Sequence, residues 1–246
     1  MLLARLSRSW AHWKRIRRLA RGESFSYPPK ARWWQETTWA EPYRPFLERD
    51  AIDGHSFKRI LDRRFQLAEL AKAVRRLPGS TAECGVFRGV GSGVICQSLA
   101  GSYAPGDVHL GFDSWDGVSS PDAADRMADG RQGWQRGQLR TPFSATQDLL
   151  ARFEFCTLVQ GWIPSCFGPA EGRQFRLVHI DVDLHQPTRD SLEFFYPRMV
   201  PGGVIVLDDH GFVDCPGARS AAIDFLADKP EPIVEVPTGQ AFVFKH

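Results

Sequence analysis

Two short apolar runs, each ending in a pair of acids, organise the hydrophobic pattern of this chain. The first is Leu177–Asp183 and the second is Gly203–Asp209. The segment between them, Pro187–Met199, has helical spacing. Near-continuous β-branched runs on either side of a helix are typical of a βαβ unit in a parallel sheet that is covered on both faces.

The rest of the chain repeats this alternation of strand and helix. Apolar residues at three- and four-residue steps predict a helix from Ser56 to Leu77, which Pro78-Gly79 ends. A strand from Thr81 then enters a glycine-rich turn, and a helix follows to about Ser102. Further elements are predicted at Gly106–Ser114, Phe153–Val159, Ala218–Ala227, Ile233–Val236 and Ala241–Lys245. We therefore expect a Rossmann-like α/β fold.

One long connection interrupts the pattern. Trp115–Ser144 is polar and glycine-rich, without a clear period. A loop of that length in a compact domain is usually functional, and often a lid.

The N-terminal part differs from the rest and divides the chain into an extension, residues 1–55, and a domain, residues 56–246. Residues 1–22 place leucines and tryptophans at helical spacing among basic side chains. Such a helix can contact a membrane surface peripherally, dock on a partner, or pack on its own domain. Residues 23–50 are rich in aromatic residues and proline. We expect them to pack on the main domain or on a second subunit, as in a homodimer.

Composition narrows the functional classes. Of the 31 basic residues, seven lie in residues 1–22, so the remainder of the chain is mildly acidic although the net charge is +2. This balance argues against nucleic acid as a partner. Five cysteines without metal-like spacing indicate reduced thiols and a cytoplasmic protein. No apolar run is long enough to cross a bilayer, and no signal-peptide pattern is present.

The acids that follow the two apolar runs predict a metal site. Asp181, Asp183, Asp208 and Asp209 come at the carboxyl ends of strands, where α/β sheets bind ligands. On an extended strand Asp181 and Asp183 point the same way. Four converging carboxylates repel one another unless a cation lies among them, and oxygen ligands suit magnesium. The alternative is that some of these acids cap helices or end solvated strands.

The glycine-rich turn predicts a cofactor site. Glycines at 85, 89, 91 and 93 allow a backbone to approach a ligand and open a helix towards it. Val94 stands where a dinucleotide-binding turn has its third glycine. Asp113, which ends the next strand, is placed to bind a ribose, and Glu83 suits a cationic group. S-adenosylmethionine has a ribose and positive charge but no phosphate.

Five segments together resemble the macrocin O-methyltransferase family: ECGVFRGVGS, FDSWDG, VQGWIP, HIDVDLHQPT and PGGVIVLDDHG. The resemblance covers about Arg63 to Ala227. It implies a seven-stranded sheet whose last strand is antiparallel, with S-adenosylmethionine and Mg²⁺ as cofactors. It also implies an O-methyltransferase that acts on a hydroxyl of a sugar, a glycan or a glycosylated small molecule.

The same resemblance assigns residues. It places the metal ligands at Asp181, Asp208 and Asp209, and the general base at Asp183. The expected cofactor contacts are Glu83, Gly85, Val86, Arg88, Gly89, Ser92, Asp113, Ser114, Gly161, Trp162 and Asp181.

This chain departs from the family pattern near the acceptor. The family usually has tyrosine where this chain has His185 and His210, and Ile163 falls in its G-W-F segment. The acceptor therefore stays open. So does the base, because a histidine titrates near neutrality and either His210 or His185 could replace Asp183.

Three other functions are compatible with parts of the sequence. Asp181-Val182-Asp183 is a D-x-D, which glycosyltransferases use to hold a metal-bound nucleotide sugar. A non-catalytic adaptor would use residues 1–50, and a nicotinamide oxidoreductase would use the glycine turn. A phosphate on the acceptor could be bound by Arg88 or by the loop arginines, namely Arg126, Arg131, Arg136 and Arg140.

Overall fold

The computed structural model describes residues 38–50 and 57–246. The basic helix predicted for residues 1–22 lies outside the described residues, and so do the aromatic residues before residue 38. The predicted membrane contact and the predicted homodimer therefore stay predictions. In the part of the chain that is described, no helix combines the length and the apolar character needed to cross a membrane.

A seven-stranded sheet with the strand order β3-β2-β1-β4-β5-β7-β6 forms the centre of the domain. The strands are β1 (Ser80–Cys84), β2 (His109–Asp113), β3 (Cys156–Gln160), β4 (Phe175–Ile180), β5 (Met199–Leu207), β6 (Val234–Glu235) and β7 (Ala241–Phe244). The first five strands pair in parallel, and β7 is antiparallel to both β5 and β6. The predicted Rossmann-like fold with an antiparallel last strand is confirmed.

Six α-helices in the described residues surround the sheet. They are α1 (Arg44–Asp50), α2 (Phe57–Ala73), α3 (Val90–Leu99), α4 (Phe143–Leu150), α5 (His185–Phe195) and α6 (Pro216–Leu226). The sequence pattern did not predict α4, which is short and follows the polar loop. It also extended β4 to Asp183, whereas the strand ends at Ile180. Residues 181–184 connect the end of β4 to α5.

Alternation along the strands produces two cores. On one face, Val178 and Ile205 pack with Leu192 and Phe195 of α5. On the other face, Leu177 and Val206 belong to a core shared with α2 and α3. Because both faces are covered, the central strands are apolar at nearly every position, which is the pattern that a buried parallel sheet requires.

The segment just before and within α1 packs on the second of these cores, as predicted for the aromatic region. Phe46 is fully buried, and a Cβ on Gly93 would lie 2.3 Å from its ring. The Tyr43 hydroxyl lies 3.0 Å from Ser98 Oγ of α3. Trp39 adds an edge-on contact with Phe65 of α2. Gly93 thus allows the close approach between α1 and α3.

A buried ion pair fastens the C-terminal strand to the loop after α6. Glu231 accepts a hydrogen bond of 2.6 Å from Lys245 Nζ and another from the Tyr196 hydroxyl. Burial alone would raise the pKa of Glu231, but Lys245, Tyr196 and the His246 amide lower it from 4.5 to about 2. Because the folded pKa lies below the unfolded value, the charged form stabilises the fold above pH 4.5, and this stabilisation is lost as the pH falls towards 2.

Replacing Glu231 with glutamine should therefore destabilise the domain by about 1.5 to 3 kcal/mol near neutrality, the range for a hydrogen bond to a charged group. The difference in melting temperature between wild type and Glu231→Gln should shrink steadily below pH 4.5. Thermal melts from pH 7 to pH 3 measure it. A difference that stays constant over this range would contradict the assignment.

Candidate active site

A cavity of about 650 Å³ opens at the carboxyl ends of the central strands. That size suits a small-molecule ligand. Most of the residues predicted from the sequence to bind cofactor or to act in catalysis line it, namely Glu83, Gly85, Val86, Arg88, Asp113, Ser114, Gly161, Trp162, Asp181, Asp183 and Asp209. Part of the predicted lid also lines it, from Gly117 to Ser120 together with Trp134 and Leu139.

One wall of the cavity carries three carboxylates around an arginine. Arg63 of α2 contacts Asp208 directly, and its Nη2 lies 3.8 Å from Asp181 Oδ1 and 3.8 Å from Asp209 Oδ1. Its guanidinium also stacks 4.8 Å from the centre of the Phe212 ring. The acids after β4 and β5 therefore do converge, and a positive group of the chain itself lies among them.

The two carboxylate oxygens of Asp208 have different partners. The residue is fully buried. Oδ1 accepts a hydrogen bond of 2.6 Å from Gln240 Nε2 and lies 3.1 Å from His179 Nε2. Oδ2 faces Arg63 and has no hydrogen bond to a described residue. Asp208 is thus held through one oxygen and presents the other to a cation.

Asp183 reaches the cavity from a turn and not from a strand. Its φ of 60° is left-handed, and its backbone N–H donates a 2.9 Å hydrogen bond to Asp209 Oδ2. The predicted alternation of Asp181 and Asp183 along a strand is wrong, because β4 ends at Ile180. Both side chains nevertheless line the cavity.

The electrostatics of this wall follow from like charges in a buried space. Burial, Asp209 and Asp181 raise the pKa of Asp183 well above its usual range, while Arg63 opposes the shift. Burial and Asp181 likewise raise the pKa of Asp209 to about 7, again against Arg63. The cluster is therefore short of positive charge even with Arg63 in place.

Asp113 on the opposite wall is fixed by the backbone. Its Oδ2 accepts a 2.7 Å hydrogen bond from the Phe87 N–H, and its Oδ1 a 2.6 Å bond from the Trp115 N–H. Phe87 and Trp115 have φ values of 50° and 55°, which are strained for aromatic residues. Burial raises the pKa of Asp113, and the backbone donors oppose it. Both oxygens of this carboxylate are therefore fixed in place at the cavity.

The glycine turn brings the two walls together. A Cβ on Gly85 would lie 1.8 Å from the Asp181 carbonyl oxygen, and one on Gly91 would lie 1.8 Å from Glu83 Oε1. Contacts within the protein therefore require glycine at both positions. The sequence analysis had explained these glycines by the close approach of a ligand. The turn after β1 can sit directly against the acidic turn after β4.

Four predicted site residues do not line the cavity: Gly89, Ser92, Asp208 and His210. Gly89 precedes α3 with a φ of 83°, and the Ser92 hydroxyl turns inward to Glu83. The expectation that the Ser92 side chain faces the cofactor does not match this geometry. Asp208 lies behind the cavity surface, beside Arg63.

The two histidines that replace family tyrosines do not line the cavity. His210 Nε2 lies 3.1 Å from Glu235 Oε1, and burial lowers the pKa of His210. His185 begins α5, with its N–H bonded to Asp125 at 2.7 Å, and does not line the cavity. Of the three residues considered as the base, only Asp183 lines the cavity.

The sequence interpretation missed the basic wall formed by α1 and α2. Arg49, Arg63 and Arg64 all line the cavity, and Arg64 Nη1 lies 3.8 Å from Asp181 Oδ2. The available signal was the Arg63-Arg64 pair, which interrupts an otherwise apolar helical stripe.

The donors of the acidic wall fit a hard divalent cation. Asp181, Asp208 and Asp209 offer carboxylate oxygens, and the Arg63 guanidinium occupies the space among them as a stand-in positive charge. Ligand atoms of His179, Asp181 and Asp208 lie within 4.8 Å of one another.

Comparison with known proteins identifies the family. The family model described as macrocin-O-methyltransferase (TylF) matches residues 56–242. The chain belongs to the macrocin O-methyltransferase family. It is therefore an enzyme of the methyltransferase class, and the glycosyltransferase, adaptor and oxidoreductase alternatives are set aside.

Individual relatives agree with this macrocin O-methyltransferase assignment. The 8-demethyl-8-(2,3-dimethoxy-alpha-L-rhamnosyl)-tetracenomycin-C 4'-O-methyltransferase of Streptomyces olivaceus is 26% identical over 179 residues, which are 69% of this chain and 67% of that protein. The structure of CalS11, a calicheamicin methyltransferase, is 20% identical with a TM-score of 0.64 over 90% of this chain and 99% of its own. SAH-bound PaMTH1 of Podospora anserina is 11% identical with a TM-score of 0.56, over 90% of this chain and 99% of its own. These two structures support the methyltransferase fold.

The Arg63 contacts generate a stability prediction for this family member. Arg63→Gln leaves the carboxylates without their positive partner, and breaking such a pair should cost about 3 kcal/mol. Denaturant titration in EDTA at pH 7.5 measures the free energy of unfolding. Arg219→Gln is the control, because its pair with Glu235 is half exposed and should contribute about 1 kcal/mol or less. Equal losses in the two variants would show that Arg63 does not neutralise the cluster.

Proposed function

We propose that this chain transfers a methyl group from S-adenosylmethionine to a hydroxyl of a sugar or of a glycosylated small molecule, and that a divalent cation, with magnesium as the first candidate, assists. One observation carries the proposal: Asp113, which two backbone N–H groups hold in place, lines the same cavity as Asp181, Asp183 and Asp209, and Asp208 lies behind the surface of that cavity beside Arg63. The contact of Gly85 with Asp181 keeps these two walls adjacent.

The cofactor half of the cavity suits S-adenosylmethionine. Asp113, held by two backbone N–H groups, is free to accept hydrogen bonds from the ribose hydroxyls. The turn at Gly85 and Val86 lines the cavity next to it, so the backbone can approach the ligand. Trp162 is 41% exposed and offers an aromatic face at the end of β3. None of these groups is a cationic phosphate cradle, which agrees with a ligand that lacks pyrophosphate.

The acidic half suits a metal and the acceptor. Asp181, Asp208 Oδ2 and Asp209 would hold the cation, with the Arg63 side chain moving aside. A bound divalent cation lowers the pKa of a hydroxyl that it contacts and orients it. Arg64, whose Nη1 lies 3.8 Å from Asp181 Oδ2, limits the net negative charge that the acceptor meets.

Asp183 is the proposed general base. It lines the cavity beside Asp209, and its turn conformation aims it there. In the reaction the acceptor oxygen forms a bond to the methyl carbon as the bond from that carbon to the sulfonium sulfur breaks. The hydroxyl proton passes to Asp183, and S-adenosylhomocysteine leaves as a neutral thioether. General-base catalysis of this kind contributes about 10² to 10⁴ in rate.

The acceptor class comes from the relatives. One is named for a reaction on a rhamnosyl group of tetracenomycin, and CalS11 is also described as a TDP-rhamnose 3'-O-methyltransferase. A free nucleotide sugar and a sugar already attached to an aglycone both present the hydroxyl that this site requires. We therefore propose a sugar hydroxyl as the methyl acceptor of this chain and assign no individual compound.

Two substitutions separate the halves of the site. Asp183→Asn should lower methyl transfer by about 100-fold or more while it leaves the affinity for S-adenosylhomocysteine within a few-fold of wild type. Asp113→Asn should weaken that affinity by about tenfold, the effect of losing one hydrogen bond to a charged group.

Calorimetry measures the affinity, and mass spectrometry of a panel of nucleotide sugars and glycosides measures the transfer of one methyl group. Full turnover in Asp183→Asn would remove Asp183 from its role. If wild type does not bind S-adenosylhomocysteine, the proposed function itself is wrong.

A further inference from the structure

A buried histidine connects the two walls of the cavity from behind. His179 Nδ1 lies 2.8 Å from Glu83 Oε1, and its Nε2 lies 3.1 Å from Asp208 Oδ1. The residue is fully buried on β4 and does not line the cavity. Glu83 lines the cofactor half of the cavity, called here the cofactor wall. Asp208 lies behind the acidic half, called here the cation wall, and supports it from there. One imidazole ring therefore touches one acid from each wall.

Strand alternation places these three side chains on the same face of the sheet. Glu83 on β1 is the register partner of His179 on β4, so the two side chains lie side by side. His179 in turn pairs with Val206 on β5, two residues before Asp208. Polar residues in this layer replace apolar ones of the core shared with α2 and α3, so the arrangement is costly unless every polar group is satisfied.

Each of the two acids has a hydrogen-bond donor of its own, and Asp208 also contacts Arg63 through Oδ2. Ser92 of α3 donates to Glu83 Oε2. Gln240 donates to Asp208 Oδ1 at 2.6 Å. Ser92 does not contact Asp208, and Gln240 does not contact Glu83. The three donors can therefore be separated by mutation: one supports only the cofactor wall, one supports only the cation wall, and His179 supports both.

We propose that His179 is a positioning residue that holds Glu83 and Asp208 in their working orientations at the same time. The inference rests on the proposed function, in which Glu83 faces the cofactor and Asp208 a cation. Partners that orient metal ligands typically change metal affinity by about 10- to 100-fold when they are removed. His179 should do so while it also changes cofactor affinity, because the same ring fixes Glu83.

The test measures two affinities in four variants of the full chain. Calorimetry with Mg²⁺ and, separately, with S-adenosylhomocysteine is carried out on wild type, His179→Leu, Gln240→Leu, Ser92→Ala and Val178→Ala. His179→Leu should weaken Mg²⁺ binding by about 10- to 100-fold and S-adenosylhomocysteine binding by about tenfold. Gln240→Leu should weaken only Mg²⁺ binding, and Ser92→Ala only S-adenosylhomocysteine binding.

Val178→Ala is the matched structural control. Val178 precedes His179 on β4 and is fully buried on the opposite face, so its truncation lowers stability without touching the polar layer. If His179→Leu weakens the two ligands no more than Val178→Ala does, the positioning role is wrong. If His179→Leu does not fold, His179→Gln carries the test. The glutamine amide does not reproduce the positions of both ring nitrogens, which contact Glu83 and Asp208 separately, so at least one affinity should fall, and two unchanged affinities overturn the inference.

The outcomes also distinguish this inference from the proposed function. Wild type that binds no Mg²⁺ or no S-adenosylhomocysteine overturns the proposed function and the inference with it. Wild type that binds both, together with a His179→Leu protein that binds both equally well, overturns the inference alone.

Discussion

Repulsion among buried carboxylates is the constraint on which this site depends. Burial and the nearby carboxylates together raise the pKa values of Asp183 and Asp209, although Arg63 opposes both shifts. Such a group of acids is stable only beside positive charge. Arg63 supplies part of that charge from α2, and a divalent cation would supply more. The same electrostatic demand therefore links the stability of the fold to the chemistry that the cavity can perform.

The fold meets this demand by close contact between turns. Gly85 has no room for a side chain because the Asp181 carbonyl lies against it, and Gly91 has none because Glu83 lies against it. Behind the turns, Glu83, His179 and Asp208 form a continuous hydrogen-bonded layer across β1, β4 and β5. In the proposed role of His179, ligand binding at the front of the cavity depends on these polar contacts behind it. Removing a buried donor from this layer should matter more than removing an exposed charge.

Much of this arrangement could be predicted from the sequence, for identifiable reasons. The period of the apolar residues predicted the order of strands and helices, and the acids that follow β4 and β5 predicted the cluster of carboxylates at the cavity. Three features could not be predicted. The left-handed turn at Asp183 depends on its bond to Asp209, a contact between distant residues. The directions of His210 and Ser92 depend on Glu235 and Glu83 in the same way. The approach of Arg63 to the acids depends on how α2 packs over the carboxyl ends of β4 and β5. The local sequence pattern carries no information about this packing.

Anomalous diffraction from crystals grown with Mn²⁺ and S-adenosylhomocysteine tests the central claim most directly. The account predicts one strong manganese peak among the carboxylates of Asp181, Asp208 and Asp209, with the Arg63 guanidinium displaced and the ribose of the cofactor on Asp113. A cofactor bound on Asp113 with no manganese at these acids, and with Arg63 still in contact with Asp208, would contradict it.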